Sequence, residues 1–409
     1  MKIYFFNYSE QEIILQLLNY VSTNSDIKFS HEMLNLKNID RIDNNSDNYI
    51  LFSFFLSKNI SVFDKTINAI REKFQKININ IVVGGSFLNF LSIEDINKYY
   101  GEVNFICIGK GEEFLISLLS RKINPGIHFD KDFPLVKKYL IVKEEFLNKS
   151  NLAYLTINGN ECKWGRCLFC KLKTEEKDSQ RVNIEEIYDS ILYYRKNKKL
   201  KLVICDSYNN IDEIKKITDM LHEDKIYDVD LIVFGVRADM DLNGVKDKSI
   251  FCINLGVEFY TQYLLDLYKK GITIEQIDKS INKLKFIAKE LNAFLLFGVP
   301  GYNLTHFKDI KLFIEKYKND IHKFNGSLFC LSDNIEMYKM LKEFRIEITG
   351  NYNISDFFKS ENCPKINTKY LKFRIWDQDE KRMINNREIL DKILRENLPF
   401  KLANQIRNL

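Results

Sequence analysis

The chain of 409 residues has no apolar run that could cross a bilayer, since its longest, Tyr49 to Leu56, falls far short of the roughly 20 residues a membrane helix needs. It does not begin with the basic-then-apolar order of a secretory signal, so the expectation is a cytoplasmic protein that engages no membrane. Charge of one sign is also scarce. Sixty-one Lys and Arg face 56 Asp and Glu, and the net +5 is too small and too evenly scattered to argue for nucleic acid. Eight cysteines are too few for a disulfide scaffold of this length and point to reduced thiols. Neither the Gly-x-Gly-x-x-Gly dinucleotide fingerprint nor a P-loop occurs.

What the chain does have is a cluster. Three of its eight cysteines, Cys162, Cys167 and Cys170, fall within nine residues in Glu-Cys-Lys-Trp-Gly-Arg-Cys-Leu-Phe-Cys. Three soft thiolates on one short loop invite a metal, and two readings stay open. With one distant fourth ligand they close a structural zinc site in a non-catalytic protein. By themselves they hold a [4Fe-4S] cluster and leave one iron free for a substrate or cofactor.

Length and pattern give an α/β protein of two or three domains. Residues 1–120 alternate short apolar runs with helical patterns, as in a doubly wound, Rossmann-like sheet. Strands are expected at Lys2–Phe6, Asp26–Phe29, Tyr49–Phe54, Ile79–Val83 and Asn104–Ile108. Two glycine-bearing turns follow strands, Gly84-Gly85-Ser86 and Gly109-Lys110-Gly111-Glu112. Ligands of such sheets bind outside the carboxyl ends of the strands, where glycine lets the backbone come close. The same glycines also serve as plain turn chemistry.

Residues 121–150, with Pro125, Gly126 and Pro134, read as a linker. From 151 to 332, six strand-like segments recur with helical patterns or loops between them, which predicts a partial (β/α)6 barrel. The cysteine loop follows the first of these segments, and Asp206, Arg237, Glu258 and Gly298 lie at the ends of later ones. Taken singly, Asp206 reads equally as a helix cap and Arg237 as a salt-bridged surface group. Residues 333–409 lose the β/α rhythm, and helical spacing over Asn385–Asn408 predicts a small, mainly helical cap that sets substrate choice.

Together these residues resemble the radical SAM superfamily, and within it the branch with a fused cobalamin-binding domain. Cys167-Leu168-Phe169-Cys170 matches the family's Cys-x-aromatic-Cys, although four residues, Lys163 to Arg166, separate Cys162 from Cys167 where the family usually has three. Leu255-Gly256-Val257-Glu258, Lys269-Lys270-Gly271-Ile272-Thr273 and the segment Phe294 to Gly301 are similar to its fourth strand, the motif downstream and its fifth strand. Val82 to Ser86 and Ile108 to Glu113 are similar to turns of the cobalamin-binding fold.

The resemblance implies an enzyme in which Cys162, Cys167 and Cys170 hold a [4Fe-4S] cluster that cleaves S-adenosylmethionine to a 5′-deoxyadenosyl radical. It implies that Phe169 lies near the adenine, that Glu258 or Asp206 accepts from ribose hydroxyls or the amino group, that Arg237 pairs with the carboxylate and that Gly298 belongs to the cofactor-binding set. The family's Gly-Gly-Glu amino-group motif is absent, and Cys205-Asp206-Ser207 stands in its place. Cobalamin is implied over Ser53, Gly84, Gly85, Ser86, Gly109, Gly111 and Glu112, without a histidine ligand because Asp-x-His-x-x-Gly is missing. The implied partners are an electron donor such as flavodoxin or ferredoxin and a peptide or small-molecule substrate. The implied reaction is cobalamin-dependent C-methylation or another radical modification of a peptide or natural product, and the Cys-x-Trp-Gly element is similar to enzymes that mature ribosomally made peptides. A vestigial cobalamin domain beside a non-methylating rearrangement would share the same turns, and no catalytic proton or hydrogen donor is singled out.

Overall fold

The computed structural model describes residues 1–6, 11–43, 47–53, 60–74, 79–85, 88, 93–100, 103–134, 152–155, 157, 162–170, 183–204, 211–241, 243–245, 250–329, 331, 335–351, 371–385, 388, 391–392 and 395. They fall into two compact units, the first holding the described residues up to Pro134 and the second those from Leu152 onward.

In the first unit the elements run β1 Lys2–Phe6, α1 Gln11–Asn24, β2 Ser30–Leu34, β3 Tyr49–Ser53, α2 Ile60–Lys73, β4 Asn80–Gly84, α3 Ile93–Tyr100, β5 Phe105–Ile108, α4 Glu112–Leu119 and β6 Gly126–Phe129. The strands are all parallel in the order β2-β1-β3-β4-β5-β6. β3 is buried at every position, which explains its unbroken apolar run: a central strand is covered on both faces. One face carries a cluster in which Phe6, Phe52, Ile81 and Val83 pack with Phe63 and Ile67 of α2 and Tyr100 of α3. Phe52 meets Phe63 edge to face, with ring centroids 4.9 Å apart. The chain reverses direction across the sheet between β1 and β3, the arrangement that opens a ligand crevice at the strands' carboxyl ends.

Two expectations are corrected here. The second strand is Ser30–Leu34 and not Asp26–Phe29, because pairing with β1 fixes the register of this mostly half-exposed edge strand and no apolar run marks it. The sheet also runs on into the stretch read as a linker, where Gly126–Phe129 pairs with β5 as a sixth strand. Its residues, Gly-Ile-His-Phe, are exposed or half-exposed, so an edge position left no sequence signal.

The second unit contains β7 Leu152–Leu155, α5 Ile184–Lys196, β8 Lys201–Ile204, α6 Ile211–Glu223, β9 Asp230–Val236, β10 Ile250–Glu258, α7 Gln262–Leu267, α8 Ile274–Ile287, β11 Ala288–Phe297, α9 Leu304–Tyr317 and β12 Lys323–Leu328. Its six strands are parallel and strictly sequential, β12-β11-β10-β9-β8-β7. Crossovers of one hand in sequential order put the helices on one side and curl the sheet, giving a partial (β/α)6 barrel. Along β11, Leu291, Ala293, Leu295 and Phe297 are buried, while Asn292, Phe294 and Leu296 on the opposite face are half-buried. Helix starts are encoded locally, as where Thr273 and Gln276 form a reciprocal capping box ahead of Ile277, Ile281 and Leu284 on the buried face of α8.

The expected mainly helical C-terminal region is corrected in part: Glu388, Asp391, Lys392 and Arg395 are helical, and the other residues of 386–408 lie outside the described ones. Its described residues include an antiparallel sheet of β13 Ile346–Asn351, β14 Leu371–Asp377 and β15 Arg382–Asn385. Leu371-Lys-Phe-Arg-Ile-Trp-Asp377 alternates apolar and polar residues with the strand period over most of its length, a signal outweighed in the sequence by the helical spacing farther on. Among the described residues no helix is long and apolar enough to cross a membrane.

Candidate functional site

In the second unit, the loop that follows β7 carries Cys162, Cys167 and Cys170 as half-buried cysteines outside any disulfide. Its shape is set by contacts on both sides of Cys167. Leu168, only 1% exposed, is held through its backbone: its N–H donates to the Tyr268 carbonyl at 3.1 Å and its carbonyl accepts from Met337 N–H at 3.1 Å. Phe169 meets Phe259 edge to face at 5.8 Å and lies 6.0 Å from Tyr268. Met337 sits in a short 3-10 turn, Glu336–Met340, and is fully buried.

The four-residue gap between Cys162 and Cys167 has a structural explanation. Gly165 takes a left-handed φ of 54°, and its N–H approaches Cys162 Sγ at 3.5 Å. Trp164 reaches across to the segment after α7, where its indole Nε1 donates to the Lys269 carbonyl at 2.8 Å. Its ring lies on Gly271, where a Cβ would come within 2.0 Å of Trp164 Cζ2, and Gly271 has φ +70°. Only glycine fits there on both counts. The Lys-Lys-Gly motif is thus the seat of the tryptophan in the cysteine loop, a role that sequence reasoning missed and whose one signal is the scarcity of tryptophan, two in 409 residues.

Arg237, at the end of β9, is 6% exposed and already engaged. Nε and Nη2 donate to the two carboxylate oxygens of Asp239 at 3.0 Å each, Nη2 also donates to the Lys270 carbonyl at 2.9 Å, and the guanidinium lies 5.1 Å from the Trp164 ring centroid. Its fork is filled by Asp239. The residue holds the tryptophan and the Lys270 backbone in place.

Glu258 ends β10 in a left-handed conformation, φ 63°, that costs a non-glycine residue of order 1 kcal/mol. Its carboxylate accepts from the buried Lys270 ammonium at 3.4 Å and folds back over Gly256, where a Cβ would stand 3.0 Å from Oε1. Gly298, with φ 72°, turns the chain out of β11. Asp206 and Ser86 lie outside the described residues.

Burial pushes the Cys167 thiol up to about 11, against the opposing pull of the Lys270 and Arg237 charges. A metal that binds it must displace a proton, which cationic neighbours favour. Among the described residues no three His, Cys, Asp or Glu side chains stand close enough to hold a single metal ion. Three thiols on a loop fixed by other side chains are a donor set that fits an iron–sulfur cluster.

The first unit offers a different surface. At the carboxyl end of β3, Ser53 is 4% exposed, pairs in register with Gly84, and its Oγ is buried without a hydrogen-bond partner among the described residues. Gly85 and Gly109, which end β4 and β5, have φ of 106° and 104°. A Cβ on Gly84 would find only ordinary contacts, to Cys107, whereas one on Gly111 would press on Leu17 at 3.4 Å. Glu112 opens α4, and burial raises its carboxyl above the usual carboxylate range, against the pull of backbone N–H groups and Lys110. Bare backbone and an orphaned hydroxyl at the carboxyl edge of a parallel sheet fit a bulky ligand laid across it.

Comparison with known proteins agrees with this picture. Residues 159–314 match the model of the Radical SAM superfamily. No curated protein matches the sequence significantly. Among solved structures, the chain is similar in fold to the cobalamin-dependent S-adenosylmethionine radical enzyme OxsB, solved with aqua-cobalamin and S-adenosylmethionine bound. The TM-score is 0.63 at 14% identity, over 99% of this chain and 70% of that one. It is similar also to the radical S-adenosylmethionine methyltransferase TsrM from Kitasatospora setae, solved with cobalamin and a [4Fe-4S] cluster. There the TM-score is 0.61 at 14% identity, over 97% of this chain and 88% of that one.

Proposed function

With a radical SAM domain over residues 159–314 as the premise, we propose that this enzyme binds a [4Fe-4S] cluster on Cys162, Cys167 and Cys170 and modifies a peptide or natural-product substrate by radical chemistry, with cobalamin-dependent C-methylation as the leading reaction. The observation that carries the reading is the cysteine loop after the first barrel strand, fixed by Trp164 on Gly271 and by the Leu168 backbone. When bound, the cluster supplies the electron that cleaves S-adenosylmethionine to a 5′-deoxyadenosyl radical. Phe169 presents a ring edge beside Phe259 for the adenine, and Glu258 keeps Oε2 for a hydroxyl or ammonium donor while Oε1 accepts from Lys270. Arg237 is a positioning residue in this reading, and the cofactor carboxylate has only its Nη1 to meet. Gly298 keeps the exit from β11 clear of a side chain.

Cobalamin, when bound to the first unit, supplies a methyl group. Ser53 Oγ would donate to it, and Gly84, Gly85 and Gly109 would let the backbone approach, while the bare side of Gly111 meets Leu17 of α1. An electron donor such as flavodoxin or ferredoxin and a cytoplasmic setting suit the five cysteines that stand outside disulfides among the described residues. The test is anaerobic reconstitution with iron and sulfide. A brown protein carrying about four irons per chain and releasing 5′-deoxyadenosine under reduction supports the reading. A colourless protein with one zinc and no cleavage defeats it.

A further inference from the structure

The inner face of the partial barrel carries aromatics where a closed barrel would be packed. Tyr154 on β7 alternates with buried Ala153 and Leu155, Phe234 on β9 follows buried Val233, and Phe294 on β11 lies between buried Ala293 and Leu295. All three therefore face away from the helices, on alternate strands of the sheet. Tyr154 remains 40% exposed and Phe234 37%.

Their levels coincide. Tyr154 is in register with Val203, and Val203 with Ile232. Barrel stagger moves the level by about one residue per strand, so two strands on from Tyr154 the matching residue is Phe234. The same step from Asn254, paired with Asn292, leads to Phe294. Contact agrees with this sense of stagger: the Phe234 and Phe294 rings lie 6.4 Å apart at 54°. They meet across β10, whose inner residues there are Asn254 and Gly256. A bulge at Phe234-Gly235, with Gly235 at φ 67°, aims Phe234 over that strand. One step deeper the lining turns polar, for Asn292 Nδ2 donates to Asn254 Oδ1 at 3.1 Å and to Cys252 Sγ at 3.2 Å.

A closed eight-stranded barrel fills each layer with four side chains from alternate strands. The six strands among the described residues supply three, and here all three are aromatic and incompletely covered. We propose that the missing member of this layer is an aromatic ring of the substrate, received by Tyr154, Phe234 and Phe294 above an amide floor. The proposal rests on the radical-enzyme reading for the identity of its occupant as substrate. Ring preference follows from the geometry, because two tilted rings leave edges and faces that a third ring complements and a saturated one does not.

The test uses the full chain without cluster and two probes that differ only in the ring, phenylacetamide and cyclohexylacetamide, followed by ligand-observed NMR. Phenylacetamide is expected to bind roughly two- to tenfold more tightly. Phe234→Leu and Phe294→Leu, each checked for cooperative unfolding, should erase the difference, with Tyr154→Leu reducing it. Equal binding of the two probes to the unaltered protein overturns the proposal even if the variants fail to fold, and so does a preference that survives Phe234→Leu. Cleavage of S-adenosylmethionine is measured separately on the reconstituted protein, so failure of the enzyme reading leaves the probe result standing and the reverse also holds.

Discussion

The two units hold their candidate sites in opposite ways. In the second, the cysteine loop is gripped by side chains: an indole on a glycine, a guanidinium beside the indole and a buried leucine bonded on both sides of its peptide. In the first, the carboxyl edge of the sheet is defined by what is absent, with glycines at Gly84, Gly85 and Gly109 and one hydroxyl that bonds to nothing among the described residues. The difference teaches that a small inorganic group needs its ligands preset, whereas a large flat ligand needs room and backbone.

The sharpest break between the units comes from Cys162→Ala. It should abolish cluster loading and bring S-adenosylmethionine cleavage to background while corrinoid binding by the first unit stays unchanged, as absorbance titration with aqua-cobalamin would show. Loss of both would mean that the units do not bind independently.

Gly271→Ala comes next, since it forces a Cβ onto Trp164 and puts alanine at φ +70°. The expected cost is about 2–4 kcal/mol in denaturant unfolding, with reduced iron incorporation. If the clash with the indole dominates, the double variant with Trp164→Ala is at least as stable as Gly271→Ala alone; if it is less stable by the full cost of both changes, Trp164 does not rest on Gly271.

A smaller effect lies inside the barrel. Burial pushes the Cys252 thiol up to about 11 from an ordinary 9.0, so the folded state holds that proton more tightly than the unfolded chain. Its stabilising contribution is complete below about pH 9 and is lost as pH rises through about 11, at most about 3 kcal/mol. Cys252→Ala should flatten that part of the stability profile. An unchanged slope would assign the alkaline loss to other groups.

Ser53→Ala should change stability least, within about 1 kcal/mol and in the stabilising direction, because it removes a buried hydroxyl that makes no bond. Corrinoid affinity should nonetheless fall about fivefold or more if the hydroxyl serves the ligand. A variant destabilised without loss of affinity would reverse the contrast between the two units.

Much of this was legible in the chain. Continuous apolar runs such as Tyr49–Ser53 marked the central strands, and Thr273 with Gln276 marked a helix start, because burial on two faces and end-capping are local demands. Edge strands escaped: Ser30–Leu34 and Gly126–Phe129 are half-exposed and take their identity from a neighbour. The site divides likewise. Cys162, Cys167 and Cys170 announced themselves by spacing, whereas Arg237 looked like a carboxylate receptor until Asp239 was found in its fork.

The sequence by itself determined the α/β alternation, the thiol cluster after a barrel strand and the glycine turns of the first sheet, since each depends on residues close together in the chain. Tertiary structure alone decided that Trp164 is seated on Gly271, that Arg237 is committed to Asp239 and Lys270, and that the Phe234 and Phe294 rings meet. These residues stand tens of positions apart or point in directions set by strand register, and only the folded sheet fixes which of them meet.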